Sequence, residues 1–493
     1  MKFNRLTKNM WLGLTLSTMF FYPLISTMRE DVFSLHWTRL NSIELIISYI
    51  VLAIIAGTCL YITSYISNSH LRLVLILSII TVPFVSLIIH AMRQLGLRGN
   101  LLSLSRYINS HMTVGIVIAT SVMALFILLI IIYQKQIFKV IIITIYIVSP
   151  MNVLALGTIT KSIFDAGALT QIDLNNNDIG TGVENSEEGD IVVLLFDEMS
   201  YQYLYDDGDI RDDFPNIKKF SMSSDNYHKA ISPGNATSVA IPGLLMGKKY
   251  DSVLHKGYTV YEMTKDGELK VIEFEGANLF TMAKRKGYRT KLYGVGLPYC
   301  ELFKSDLNGC DAFSLYNHST VHKGISIIDP IFTTIAIWPH QYPTGLLMVP
   351  ILSKWQREVT SIIHERTMDA INDGGRTFLF AHFFIPHLPF VFNRDGYYTN
   401  DDPFNQNSEN YNEQLKYVDT VFGEIVETIN RNNEYDKSHI ILMSDHNYRK
   451  MYQGDKKNEV PLIIKKRNQK DRRDIYERVE TEKILWNTLS NDL

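Results

Sequence analysis

Three short segments in the second half of this 493-residue chain carry side chains suited to a divalent metal and an activated nucleophile. IVVLLFDEMS ends an apolar run in Asp197 and Glu198. NATSVAIPGLLMG holds the hydroxyl pair Thr237 and Ser238, and HIILMSDHN ends a second apolar run in Ser444, Asp445 and His446. Carboxylate oxygens and an imidazole nitrogen are ligands for a hard or borderline divalent cation. A threonine hydroxyl is a poor nucleophile until a metal or a base stabilises its alkoxide. Taken singly, each segment also has an ordinary reading: a polar strand end, or a threonine in a turn or helix cap. A fourth segment, AHFFIPHLPFVF, sets His387 in a proline-flanked loop, where it can contact a bound anion or donate a proton. His382, earlier in that segment, reads equally as a residue packed within or beside a strand. Neither Thr237 nor Ser238 lies in a Gly-x-Ser-x-Gly elbow, which disfavours a hydrolase of that type.

These residues need a frame that brings them together. Continuous apolar runs at 191–196, 290–293, 377–383, 439–443 and 461–464 fit strands covered on both faces. Residues 277–286 predict a helix ending at Gly287, a natural C-cap. Tyr411, Leu415, Val418, Phe422, Ile425 and Ile429 recur at helical spacing, so 411–431 predicts a long amphipathic helix. Strands alternating with helices imply a doubly wound, mostly parallel α/β sheet. Ligands in such sheets bind beyond the carboxyl ends of the strands, where Asp197, Glu198, Asp445 and His446 fall.

The first 160 residues have another character. Apolar stretches recur at about 10–28, 43–66, 71–91, 112–133 and 137–157, each near the ~20 residues that span a hydrocarbon core. They predict a bundle of five transmembrane helices over 1–160, a linker over 161–189 and a catalytic domain over 190–493. Basic residues at the start, at Arg72 and at Lys135 and Lys139 favour a cytoplasmic N-terminus. Five spans then place the catalytic domain on the periplasmic or extracellular side of the cytoplasmic (inner) membrane. The spans show few ionisable residues away from their ends, which favours an anchor over a transporter. Cys300 and Cys310 flank a short loop and predict a disulfide, in keeping with an oxidising compartment. A net charge of −3 gives no support for nucleic-acid binding.

The order of the segments is more specific than any one of them. VVLLFDEMS, FPNIKKF, TSVAIPGLLMG, HFFIPHLPF, IILMSDHN and EVPLIIKK together resemble the sulfatase-like branch of the alkaline phosphatase superfamily. Preceded by five spans, the pattern resembles the membrane phosphoethanolamine transferases and lipoteichoic acid synthases. The resemblance implies an alkaline phosphatase-type α/β fold and a metal-bound nucleophile attacking a phosphate or sulfate ester. It implies Thr237 as that nucleophile, since the Cys-x-Pro-x-Arg motif of formylglycine sulfatases is absent. It implies Asp445 and His446 as metal ligands and His387 as the residue contacting the substrate anion. At the first strand it leaves Asp197 and Glu198 both open as ligands. One departure is Asn447 where the usual glycine follows Ser-Asp-His. Arg449, just beyond, is a candidate partner for substrate charge.

The expectation is therefore a membrane-anchored enzyme using zinc, with manganese as the alternative. It would move a phospho-substituent such as phosphoethanolamine or phosphoglycerol from a lipid-linked donor onto a cell-envelope glycan or lipid. The rival readings are a sulfuric- or phosphoric-ester hydrolase with the same site, and an inactive homologue acting in membrane assembly.

Overall fold

The computed structural model describes residues 5–27, 39–95, 136, 139, 143–165, 171–172, 189–256, 258–315, 325–341, 345–397, 407–448 and 458–492. The chain divides into two compact units: residues 1–30, 37–167 and 322–351 form one, and residues 31–36, 168–321 and 352–493 the other.

The first unit contains helices α1 (Arg5–Thr27), α2 (Arg39–Thr63), α3 (Ser69–Gln94) and α4 (Met151–Asp165). Two stretches, Arg39–Thr63 and Ser69–Met92, are long and apolar enough to cross a membrane by length and composition. Among the described residues, two of the five expected spans thus have such a helix. The 112–133 stretch lies outside the described residues, and α4 is a shorter apolar helix. Polar side chains join these helices: Thr18 Oγ1 lies 2.6 Å from Tyr49 Oη and 2.7 Å from Asn152 Oδ1, tying α1 to α2 and α4. Such interhelical hydrogen bonds hold apolar helices together where burial alone discriminates poorly. Residues 322–351, placed by sequence with the catalytic domain, cluster with this unit. The attachment runs through an ionisable residue of α2 that the sequence reading passed over. Glu44 Oε1 accepts the Ser326 N–H at 2.9 Å, and Ser48 Oγ donates to the Ile327 carbonyl at 2.7 Å.

The second unit is a mixed α/β domain around a nine-stranded sheet. Its strands are β1 (Gln171–Ile172), β2 (Ile191–Phe196), β3 (Asp225–Ile231), β7 (Arg289–Val295), β8 (Gly309–Phe313), β9 (Thr377–Phe383), β10 (His439–Met443), β11 (Leu462–Lys465) and β12 (Arg473–Glu480). A separate three-stranded sheet is formed by β4 (Val253–Lys256), β5 (Thr259–Met263) and β6 (Leu269–Val271). The large sheet runs β1-β8-β7-β9-β2-β10-β11-β3-β12. Its centre, from β8 to β10, is parallel throughout; β1 and β11 are the antiparallel members.

The run IVVLLF serves both faces. Val192, Leu194 and Phe196 join one core with Tyr411, Leu415, Val418, Phe422, Ile425 and Ile429 of α7 (Ser408–Arg431). Ile191, Val193 and Leu195 join the other, with residues of α5 (Thr237–Met246), α6 (Leu279–Arg285) and α8 (Thr481–Asp492). Alternate side chains point to opposite faces of a strand, so a sheet with helices on both sides needs an unbroken apolar run. Full burial of each such side chain contributes roughly 1.5–3 kcal/mol.

Register sets the site. Phe383 lies opposite Phe196 and Met443 opposite Leu195. The chain therefore leaves β9, β2 and β10 at one level, and the loops beginning at Phe384, Asp197 and Ser444 open at one end of the sheet.

At the other end of β2, Asp190 ties three strands. Its N–H donates to Ser438 Oγ at 3.1 Å, its Oδ1 accepts the Thr377 N–H at 2.8 Å and its carbonyl accepts the His439 N–H at 2.9 Å. Burial pushes its carboxyl up to about 7, against the Thr377 hydrogen bond, which lowers it. The folded value exceeds the unfolded one, so folding favours the protonated form. That contribution is fully present below about pH 4 and is lost as pH rises through about 7. Asp190→Asn keeps an oxygen acceptor without the charge. It is expected to melt higher than the parent at pH 8, by the equivalent of up to ~4 kcal/mol, with the difference vanishing near pH 4. Melting curves of both proteins across that range check this; a constant offset would contradict it.

Candidate metal and nucleophile site

The turn after β2 is held from several sides. Asp197 N–H donates to the Phe383 carbonyl at 3.0 Å, and Met199 N–H to Ser444 Oγ at 2.9 Å. Tyr411 Oη accepts the Ser200 N–H at 3.0 Å and donates to the Glu198 carbonyl at 2.8 Å. Between these anchors Glu198 adopts φ +63°, a left-handed conformation rare outside glycine, asparagine and aspartate. Such strain persists where the surroundings over-determine it, and it clusters at functional sites.

The second acidic segment docks onto this turn. Asp445 Oδ1 accepts the Glu198 N–H at 3.2 Å and the His446 N–H at 2.8 Å. Its other oxygen, Oδ2, is buried and makes no hydrogen bond among the described residues. Ser232 Oγ, just past β3, donates to the Asp445 carbonyl. His446 Nδ1 faces the Asn447 carbonyl at 3.0 Å; a carbonyl only accepts, so Nδ1 carries the hydrogen and Nε2 keeps its lone pair. The departure at Asn447 has a local reason. Its side chain accepts the Tyr448 N–H at 2.8 Å and donates to Gln202 Oε1 at 3.0 Å.

Around His446 Nε2 stand Thr237 Oγ1 at 3.3 Å, Asp445 Oδ2 at 3.4 Å and Asp197 Oδ1 at 3.6 Å. A tetrahedral ion with bonds of about 2.0–2.2 Å separates its ligand atoms by about 3.3–3.6 Å. The three distances from His446 Nε2 match that spacing, and a donor set of two carboxylates, one imidazole and one hydroxyl is of the kind that suits a divalent cation such as zinc. Asp197, Asp445 and His446 form a buried group whose ligand atoms lie within 4.8 Å of one another. Glu198 turns elsewhere: its Oε1 lies 3.8 Å from His387 Nε2. The turn thus aims its two acids at different partners.

Thr237 is the first residue of α5, and no side chain caps that helix start at Ala236. The helix closes at Gly247, φ +62°, packed against the Trp486 ring, whose Nε1 donates to the Leu244 carbonyl at 3.0 Å. A side chain at 247 would meet that ring at 2.6 Å.

His387 is 8% exposed and stacks on Phe384 with ring centroids 4.4 Å apart. Its Nδ1 faces the Leu388 carbonyl at 2.7 Å, leaving Nε2 toward Glu198. Gln356 and Gln414 both donate to its own carbonyl, at 3.0 and 2.9 Å. His382 is fully buried. Tyr299 Oη lies 2.7 Å from its Nδ1, and its Nε2 is 4.0 Å from Asp197 Oδ2. Burial holds this imidazole down at about 4, against the opposing pull of Asp445, so it is neutral at pH 7. Gly294 makes room for the pair: a Cβ there would stand 2.9 Å from the Tyr299 ring and 3.0 Å from His382. Cys300, the next residue, forms the expected disulfide with Cys310. Arg449 lies outside the described residues.

The structure brings together Asp197, Thr237, Asp445 and His446, with Glu198 paired to His387 beside them. Sequence reasoning missed the supporting residues Ser232, Tyr299, Gln356, Tyr411 in its hydrogen-bonding role, and Gln414. Only Tyr299, adjacent to a paired cysteine, carried any local signal.

A family model described as Sulfatase matches residues 190–482. The chain belongs to the sulfatase family. Similar solved structures include an alkaline phosphatase superfamily protein from Vibrio parahaemolyticus, 14% identical over 60% of this chain and 64% of that one, TM-score 0.40. Another is the phosphonate monoester hydrolase of Agrobacterium radiobacter, 14% identical over 61% and 74%, TM-score 0.37. A 2-O GAG sulfatase is 10% identical over 62% and 70%, TM-score 0.41. No curated protein matches the chain.

Proposed function

We propose that this sulfatase-family domain is a membrane-anchored, metal-dependent phosphotransferase that works through a covalent phospho-threonine at Thr237. The carrying observation is the cluster of Thr237 Oγ1, Asp445 Oδ2 and Asp197 Oδ1 at 3.3–3.6 Å from His446 Nε2. A divalent ion held by these atoms supplies Lewis-acid stabilisation of an alkoxide and of the charge developing on the transferred group.

The protein's own residues do the rest. Thr237 Oγ1 forms a bond to phosphorus in line with the breaking bond to the leaving oxygen, and the threonine proton departs to solvent. In this reading His387 Nε2, which lies beside Glu198, delivers a proton to the leaving oxygen, while the Leu388 carbonyl fixes its ring. The start of α5 lacks a side-chain cap, which leaves the positive end of that helix to stabilise the phosphoryl oxygens in this reading. An acceptor hydroxyl from a glycan or lipid then attacks the phospho-threonine and regenerates the free hydroxyl. Threonine at this position supports phosphoryl transfer, because its secondary alcohol cannot be oxidised to the aldehyde of formylglycine. The two apolar helices α2 and α3 are consistent with a membrane anchor and with a lipid-linked donor, the catalytic domain facing the periplasm or cell exterior.

The test is a panel of aryl phosphate monoesters, phosphodiesters and sulfate esters, and a labelled phosphatidylethanolamine, each with and without a glycan acceptor. Phosphodiester turnover that rises with acceptor is the expected result. Turnover of sulfate esters alone would overturn the proposal in favour of a sulfatase.

A further inference from the structure

The helix that carries Thr237 contains a fault one turn into its length. Pro242 lies inside α5. In a regular helix the N–H of residue 242 would bond to the carbonyl of residue 238, but proline has no N–H. The Ser238 carbonyl is thereby released from the ladder in the turn that begins with Thr237. It does not go unsatisfied. His255 Nε2, from β4 of the separate three-stranded sheet, lies 3.2 Å from Ser238 O. A carbonyl only accepts, so Nε2 carries the hydrogen. The imidazole is 5% exposed, and burial holds it down at about 4, so at neutral pH it is an uncharged donor.

We infer that His255 is a positioning residue, holding the first turn of α5, and with it the Thr237 hydroxyl, through the carbonyl that Pro242 leaves free. Ser238 is half-buried, and a carbonyl that loses its donor there favours any relaxation of the turn that finds it another. A turn that relaxes in this way moves the residue at its start, and Thr237 Oγ1 stands 3.3 Å from His446 Nε2, where small displacements matter. The pairing also gives β4, which contributes no side chain to the metal cluster, a reason to lie against α5. The inference rests on the reading of Thr237 as nucleophile for its catalytic consequence, though not for its structural one.

The link predicts its own rescue. Pro242→Ala restores an N–H at position 242, able to serve Ser238 O within the helix. Full-length protein in detergent, loaded with zinc, is assayed with bis(p-nitrophenyl) phosphate as parent, His255→Ala, His255→Gln, Pro242→Ala and the His255→Ala/Pro242→Ala double variant. His255→Ala is expected to lower kcat roughly 10–100-fold while KM changes less than about threefold. In the Pro242→Ala background the same substitution costs less than about threefold, because the carbonyl has a partner again. His255→Gln, which keeps a donor, falls between. Deuterium exchange over the peptide spanning 237–246 gives a second readout free of activity: faster in His255→Ala, restored in the double variant. Equal losses of kcat and equal exchange in both backgrounds would overturn the inference, as would a His255→Ala variant indistinguishable from the parent. If Thr237→Ala stays active while the exchange pattern holds, the nucleophile reading fails and the structural link stands.

Discussion

Thr237→Ala is expected to lower turnover of an aryl phosphodiester on the order of 10³–10⁶-fold, the scale seen when a covalent nucleophile is removed. The substitution deletes the hydroxyl 3.3 Å from His446 Nε2 and leaves Asp197, Asp445 and His446 in place. Zinc should therefore still bind, more weakly than to the parent. This separates loss of nucleophile from loss of metal. Thr237→Ser keeps an oxygen on the same carbon and should retain far more activity, within about 10–100-fold of the parent. If Thr237→Ala kept parental turnover, the neighbouring Ser238 or water would have to be the attacking group.

The second large effect concerns the metal. Stripping the protein with a chelator is expected to abolish turnover, with zinc or manganese restoring it. Asp445→Ala removes both the buried Oδ2 and the Oδ1 that accepts two backbone N–H groups. It should lower zinc affinity by at least ~10²-fold and loosen the turn at Glu198. Comparing the two neighbouring acids is more discriminating. Asp197→Asn should weaken zinc by at least ~10²-fold. Glu198→Gln should weaken it by less than about tenfold and act chiefly on substrate through His387, its carboxylate being 3.8 Å from that imidazole. Calorimetric titration of the chelator-treated variants reads both; the opposite order would assign the ligand role to Glu198.

The choice between these acids shows what sequence could and could not deliver. Both follow the same buried strand, and residue type favours neither. What divides them is the turn, in which Glu198 takes φ +63° while its carbonyl accepts from Tyr411 and its N–H donates to Asp445, residues more than 200 positions away. A glutamate gives no local signal for that conformation. By contrast the central strands were legible because burial on both faces demands unbroken apolar runs, and β2, β9 and β10 carry them. The edge strand β12, RDIYERVE, was not, since its side chains are largely exposed and show no such run. The amphipathic helix α7 was legible from six apolar positions that all face one core. In the N-terminal half the expected spans at about 43–66 and 71–91 coincide with helices long and apolar enough to cross a membrane, while the 112–133 stretch lies outside the described residues. Composition did not reveal that 322–351 returns to that unit, because the bond from Ser326 to Glu44 joins residues far apart in the chain. The disulfide was readable from the close spacing of Cys300 and Cys310.

The central claim is that Thr237 becomes covalently phosphorylated at this cluster. The most direct measurement is peptide mapping by mass spectrometry of zinc-loaded, full-length protein quenched in acid during turnover of a phosphodiester. The account predicts a phospho-adduct on Thr237, present in the parent and absent from Thr237→Ala. An adduct on another residue, or turnover without any adduct, would contradict it.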